Sequence, residues 1–343
     1  MNILIVKLSA IGDVVHTLPS VVELRKLYPD GHITWVVEEA SSGLIMNHPL
    51  VDRVLVSRRK RWVSDLMALR HGKDTLREIR SFLSELRDRR YDLVIDFHGL
   101  LKSSVIVLLS RGKRKLGYDS LQELSGLFLT EKIFEDMTKH AVDRYLDFIR
   151  YLGGHVGTPE FPIPADPDID ARVTALLRTN GIDRGEPFVA INPVAYWETK
   201  LWTNEGFARL CDRIVTELDT AVVFTGGTDD TVIDDIRSRM EQPSESLEGQ
   251  TTLQDLACLY KRASVVVSTD SGPMHIAAAM GTPTVALFGP TDPSRTGPYG
   301  IGHCVVRKDM PCSPCFLKKC NSMRCMTEIT VEEVFEAVKN LCR

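Results

Sequence analysis

The sequence predicts an α/β protein of two doubly wound domains, each a parallel sheet covered by helices, facing each other across a cleft. Three observations carry this prediction. Short β-branched or leucine-rich runs alternate with stretches of helical periodicity along almost the whole chain, the pattern of βαβ units feeding a parallel sheet. The alternation is interrupted once, at residues 153–168 (GGHVGTPEFPIPADPD), where Gly and Pro concentrate and no period survives. At 343 residues the chain also exceeds what one core usually organises, so two domains are the default, drawn here as 1–160 and 161–343.

Taken in order, residues 3–7 form a short apolar strand, 8–13 (LSAIGD) a turn, and 14–27 a helix halted at Tyr28-Pro29. Strand-like runs follow at 33–37, 54–56 and 93–96. Between the last two lies a strongly charged helix, 75–90, with Leu76, Ile79, Leu83 and Leu86 on one face. Beyond the Pro-rich stretch the alternation restarts with a strand at 189–192, a helix at 207–218 and a strand at 221–225 ending in Gly226-Gly227. The most informative stretch is 264–289, SVVVSTDSGPMHIAAAMGTPTVALFG. Here 265–267 suit a strand buried on both faces, and Asp270 or Ser271 can cap a helix with Pro273 in its first turn. The helix continues through 274–280, Gly281 ends it, and 284–288 is the next strand. A final helix covers 331–341 and is expected to pack back on the first domain.

Composition describes an ordinary globular protein, 43% hydrophobic and 26% charged. No run approaches the ~18–20 apolar residues of a membrane span, and the N-terminal apolar run is too short and lacks the basic lead of a signal peptide. A cytoplasmic protein is expected. The net charge of −4 hides an asymmetry: residues 1–165 carry 24 Lys+Arg against 21 Asp+Glu, and the remainder 18 against 25. The first half is therefore the one suited to an anionic partner.

In doubly wound sheets ligands sit at the carboxyl ends of the strands, so the turns carry the function. The turn at 268–275 offers free N–H groups and a positive helix end, an anion site suited to a phosphate or diphosphate. His275 in the first helical turn can add a hydrogen bond, or can be no more than a satisfied helix residue. The first turn holds a single Gly12 and no GxGxxG, which argues against a dinucleotide cofactor there. Asp13 stands at a helix start, either as a cap or as a carboxylate placed to accept a proton. The only Asp-x-Asp spacings, Asp166/Asp168 and Asp168/Asp170, fall in or beside the Pro-rich stretch, and Asp229-Asp230 are adjacent. Metal-independent catalysis, with no cofactor required, is the expectation.

Five stretches, MNILIVKLSAIGDVVHTLP at the start, WVVEE at 35–39, IDFHGLLKSS at 95–104, KLW at 200–202 and STDSGPMHIAAAMGTP at 268–283, together resemble the bacterial lipopolysaccharide heptosyltransferases of glycosyltransferase family 9. The resemblance runs nearly the whole chain in the right order. It implies a GT-B fold of two Rossmann-like domains, with residues 1–160 binding the acceptor and 161–343 the nucleotide sugar. The N-terminal half is most similar to heptosyltransferase I, which adds the first heptose to the Kdo of the inner core. The segment 312–325 is more similar to heptosyltransferase II, which acts on an already heptosylated core. A non-catalytic sugar-nucleotide-binding protein is a third reading, disfavoured because such a protein has no use for the base.

Position by position, the resemblance implies that Asp13 is the catalytic base for inverting transfer from ADP-heptose. Lys200 would be the cation facing the diphosphate as charge builds on departing ADP. Thr269, Asp270, Ser271, Gly272 and His275 would hold the donor's diphosphate and heptose, and Asp229 or Asp230 the ribose hydroxyls. The implied acceptor is Kdo-lipid A, met at the cytoplasmic face of the inner membrane by a peripheral enzyme. Two basic clusters fit it: Arg58, Arg59, Lys60 and Arg61 beside the apolar Trp62, and Arg111 with Lys113, Arg114 and Lys115; Lys102 can contribute. At ~1 kcal/mol per basic residue near an anionic surface, these eight charges suffice for transient attachment. The acidic overall balance and the lack of any recognisable module exclude nucleic acid as a partner.

Of eight cysteines, Cys312, Cys315, Cys320 and Cys325 form C-x2-C-x4-C-x4-C, dense enough for a structural zinc or iron–sulfur site although the spacing fits no common template closely.

Overall fold

In the computed structural model, the first sheet grows outward from β1 (Asn2–Val6), whose apolar side chains Ile3, Leu4, Ile5 and Val6 are fully buried. Parallel strands join it on both sides: β2 (His32–Glu38), β3 (Arg53–Ser57), β4 (Tyr91–Asp96), β5 (Gly112–Tyr118) and β6 (Glu131–Ile133), in the order β3-β2-β1-β4-β5-β6. The second sheet comprises β7 (Phe188–Asn192), β8 (Ala221–Phe224), β9 (Glu245–Ser246), β10 (Val265–Thr269), β11 (Thr284–Phe288) and β12 (Cys304–Arg307). Its order, β12-β11-β10-β7-β8-β9, repeats that of the first sheet. The structure describes residues 1–343 apart from 69–70, 120–125, 165, 184, 229–230 and 343. Contacts divide the chain into two units, Met1–Pro164 and Ala165–Arg343.

Strands buried on both faces need no alternation of apolar and polar residues, which is why β1 and β10 read as continuous apolar runs. Each fully buried Val, Leu or Ile contributes about 1.5–3 kcal/mol relative to exposure, so the sheet centres anchor each unit. In the first unit Leu4, Val6, Val36 and Leu55 form one core cluster with Trp62, Phe82, Leu86 and Ile106. The helix Gly72–Leu86 starts and ends earlier than its charge pattern predicts, and its inward face keeps Ile79, Leu83 and Leu86 against the core but differs at Leu76. Thr75, Phe82 and Leu86 are buried, whereas Leu76 is 47% exposed. The large Phe82 ring packs on Trp62, ring centres 5.5 Å apart and tilted by 59°, which favours this rotation of the helix. Trp62 is thereby committed to the core, its Nε1 donating to Glu78 at 2.9 Å, and is not the surface aromatic that the sequence places beside its basic neighbours.

In the second unit the final helix falls at Val331–Leu341, where the periodicity puts it, opened by a reciprocal cap in which Thr330 N donates to Glu333 and Glu333 N to Thr330 Oγ1. Its Val334, Phe335 and Val338 join the core cluster built on Val265, Val285 and Leu287. Asp166, half of an Asp-x-Asp spacing, caps the helix Pro167–Thr179 by accepting the Asp168 N–H at 2.9 Å.

Candidate functional site

Repeating one strand order in both sheets places one topological switch point between β1 and β4 and another between β7 and β10. Doubly wound sheets bind their ligands in the crevice at the carboxyl ends of the strands beside such a point. The predicted site residues sort around these two places.

At the first switch point, β1 runs into Lys7 and the turn before the helix Ile11–Leu27, with Asp13 in the first helical turn rather than at the cap. The helix opens earlier than predicted because the Asp13 carboxylate itself satisfies the entry, accepting the Ala10 N–H on Oδ2 at 3.0 Å. The other oxygen, Oδ1, accepts the Tyr145 hydroxyl at 2.9 Å and faces the Lys7 ammonium at 3.4 Å. Lys7 Nζ donates to the Tyr145 oxygen at 2.5 Å and to Phe97 O at 3.1 Å. Burial holds the Tyr145 phenol neutral, its pKa well above the usual value, so its proton is available to Asp13. Against the burial that favours protonation, Lys7 foremost and then His16 and the Ala10 N–H hold the Asp13 carboxyl well below the usual carboxylate range. Its side chain remains 38% exposed. Asp13 thus closes the helix entry from inside the first turn, with Ala10 at the cap position, and is at the same time an accessible, ionised carboxylate.

Across the same edge, Asp96 at the end of β4 accepts the N–H groups of His98 and Gly99 and the Ser103 hydroxyl, shaping the turn that presents His98. Burial pushes the His98 imidazole down to about 2, so it is neutral, and neither ring nitrogen has a hydrogen-bond partner. Glu38, ending β2, gathers Arg59 at 3.3 Å, Lys60 at 3.6 Å and Lys102 at 3.6 Å; Lys102 also donates to Ser9 Oγ at 2.7 Å. Arg58 pairs with Glu39 at 2.9 Å and Arg61 with Glu78. The first basic cluster and Lys102 therefore meet at this carboxyl edge. Lys113 does not: it stands near the start of β5, beside Asp92 at 3.5 Å, at the opposite edge of the sheet.

At the second switch point, β10 ends in Thr269, whose hydroxyl donates to Val194 O at 2.8 Å, followed by Asp270 and Ser271. Ser271 opens the helix Gly272–Ala279 without a side-chain cap bond, with Pro273 in the first turn, which leaves the leading N–H groups directed outward. Ser271 Oγ reaches Asn192 Oδ1, at the end of β7, at 3.4 Å. Asp270, 5% exposed, accepts the Thr291 hydroxyl at 2.6 Å and pairs with Lys200 at 2.7 Å on the same oxygen. Lys200 sits on a short 3-10 turn, Glu198–Lys200, with its ammonium 4.7 Å from the Trp197 ring centre. Thr269, Asp270, Ser271, Gly272 and Lys200 converge here, and His275 is buried one turn into the helix. Asp229, with Asp230, lies outside the described residues. Sequence reasoning missed Lys7, Tyr145, Glu38, His98, Thr291 and Asn192. Lys7 stood in a quoted motif, but nothing local marks Tyr145, 132 residues from Asp13, as its partner.

The profile of glycosyltransferase family 9 (heptosyltransferase) matches residues 79–326. The chain belongs to this family. As a family 9 enzyme it is a glycosyltransferase, and its two parallel sheets are the Rossmann-like domains of the GT-B fold. Lipopolysaccharide heptosyltransferase 1 of Pseudomonas aeruginosa is 32% identical over 93% of this chain and 87% of its own. Among solved structures, the Escherichia coli heptosyltransferase WaaC with ADP is 25% identical, with a TM-score of 0.78 over 99% of this family 9 chain and all of that one. A family 9 glycosyl transferase from Veillonella parvula shares the fold at a TM-score of 0.84 and 24% identity, covering 99% of this chain and 97% of its own.

Proposed function

We propose that this family 9 enzyme transfers heptose from ADP-heptose to the Kdo of a lipid A-linked inner core, with inversion, and that Asp13 is the general base. The observation that carries the reading is the Asp13 carboxylate, ionised by Lys7 and open to solvent at the carboxyl edge of β1. A base needs placement and the right protonation state before an unusual affinity for protons. Asp13 accepts the acceptor hydroxyl proton as that oxygen attacks the anomeric carbon from the face opposite ADP. One displacement, one base and no covalent sugar–enzyme intermediate follow.

On the donor side, the N–H groups opening Gly272–Ala279 receive phosphate oxygens. Lys200 spends one of its three donors on Asp270 and directs the others to the diphosphate, stabilising the charge of the leaving ADP. Asp270 itself, buried and with one oxygen shared by Lys200 and Thr291, orients Lys200 rather than touching phosphate. The similarity to a heptosyltransferase 1 supports Kdo, rather than an existing heptose, as the acceptor. Arg58, Arg59, Lys60 and Lys102 supply the cations for its carboxylates and phosphates. No helix among the described residues is long and apolar enough to cross a membrane. Val63, Leu66 and Met67, exposed on the helix Arg59–Met67, give the first cluster an apolar margin suited to an anionic lipid surface.

The test is Asp13→Asn, assayed for heptosyl transfer onto Kdo-lipid A and onto its heptosylated form, with ADP binding measured alongside. Turnover is expected to fall about 10²–10⁴-fold with ADP affinity retained. Undiminished transfer by the variant removes the base; preference of the parent for the heptosylated acceptor removes the assignment of Kdo.

A further inference from the structure

The segment between β12 and the short helix Arg324–Thr327 contains no strand or helix, yet its course is held at several points. Cys315 N and Phe316 N both donate to Pro290 O, at 3.0 and 2.8 Å, and Ser313 Oγ donates to Gly289 O at 2.5 Å. Thr199, beside Lys200, donates its hydroxyl to Leu317 O at 2.7 Å. The segment buries almost nothing of its own: Phe316 and Leu317 are exposed, and its remaining distinctive content is Cys312, Cys315, Cys320 and Cys325.

All four cysteines line one cavity of about 200 Å³ together with Thr199, Pro290 and Met323. Two features of that cavity point to a soft cation. The Cys320 sulfur accepts the backbone N–H groups of Ser322 and Met323 and lies 3.6 Å from the Ser322 hydroxyl, the hydrogen-bond support a thiolate ligand needs. Lys318, Lys319 and Arg324 flank the cysteines and would balance the excess negative charge of a four-thiolate centre. Among the described residues no three His, Cys, Asp or Glu side chains already stand in a coordinating arrangement, so binding draws the sulfurs inward from the cavity rim.

We propose that Cys312, Cys315, Cys320 and Cys325 bind one Zn²⁺ as four thiolates, and that the ion fixes the 310–325 segment beneath the turn carrying Lys200. Zinc matches the ligand set because four sulfurs close its tetrahedral shell and leave no open position, the signature of a structural site. Each thiol gives its proton to solvent as its sulfur–zinc bond forms, with no change of oxidation state.

The test uses full-length protein purified without a metal-affinity tag. Expected is about one zinc per chain, and on chelation the release of that zinc together with four newly reactive thiols. Replacing zinc by Co²⁺ is expected to give the visible bands of a tetrahedral thiolate site. The segment carries its own proteolytic reporter, since trypsin cuts after Lys318, Lys319 and Arg324: the zinc form resists cleavage there and the chelated form is cut. Cys320→Ser is expected to lose zinc, whereas Cys342→Ser, an exposed cysteine outside the group, keeps it. Less than about a tenth of an equivalent of zinc after reconstitution, with thiol reactivity indifferent to zinc, overturns the proposal. So does finding the four cysteines as two disulfides, or as an iron cluster containing inorganic sulfide. None of these readouts depends on the transferase reaction.

Discussion

Replacing Lys200 by methionine keeps the length of the side chain and removes its charge, leaving Asp270 5% exposed with the Thr291 hydroxyl as its remaining side-chain partner among the described residues. At 2.7 Å the lost attraction is about 6 kcal/mol for an effective dielectric of about 20, before the cost of having desolvated the ammonium is returned. Breaking a buried pair from one side typically costs about 3–5 kcal/mol, and because Lys200 is partly open the lower end applies, about 3 kcal/mol. For a unit the size of Ala165–Arg343, each kcal/mol lowers the melting temperature by about 2–4 °C, so Lys200→Met should melt about 6–12 °C below the parent. Asp270→Asn should cost a similar amount. The double variant removes both charges together and should recover about 1–3 kcal/mol relative to the sum of the single losses. The assay is thermal unfolding of all four proteins at one pH, without ligand. Two single variants that melt within a degree of the parent, or losses that simply add, would refute the idea that Asp270 exists to hold Lys200.

Three further outcomes follow from the same structure. Lys7→Met removes the main influence holding Asp13 ionised, so the Asp13 pKa rises and the acid limb of kcat/KM moves to higher pH; profiles that superimpose contradict this. The sign for stability agrees: a depressed carboxylate stabilises the fold above its unfolded pKa and loses that contribution as pH falls through its folded one, so the variant gains less stability than the parent on going from acid to neutral pH. Tyr145→Phe deletes one donor to Asp13 and leaves Lys7 in place, so its kcat/KM should fall by less than tenfold and its acid limb should shift less than that of Lys7→Met. Gly289→Ala sets a Cβ 2.5 Å from Met326 Sδ, whose side chain is fully buried, and should cost about 1–3 kcal/mol by overpacking, read as a lower melting temperature.

Signals that are local along the chain were legible in it. The strand 284–288 and the helix 331–341 fall where residue type puts them, because double burial and a capping box are properties of a few adjacent residues. Errors arose where a neighbour distant in sequence decided. Leu76 has the right spacing for the core, but the packing of Phe82 on Trp62 favours a rotation that leaves it outward. The start of the first helix reads late, at 14 in place of Ile11, because the Ala10 N–H that Asp13 accepts precedes the apolar period. The basic residues of the first half read as one population, while the fold sends Lys102 and Lys113 to opposite edges; strand direction, which separates them, is set by the sheet and not by composition. Tyr145 was invisible because its helix, Ala141–Tyr151, meets Asp13 only through packing on Ile11–Leu27.

Each charged constellation is wired within its own half of the chain: Lys7, Tyr145 and Asp13 in one, Lys200, Asp270 and Thr291 in the other. Under the roles proposed above, mutations that retune recognition of the sugar nucleotide would accumulate after residue 165 without rewiring proton abstraction, and changes in glycolipid preference before it. Such separable inheritance makes hybrids joined near that boundary a natural route to new pairings of sugar and acceptor, each parent contributing an intact electrostatic circuit.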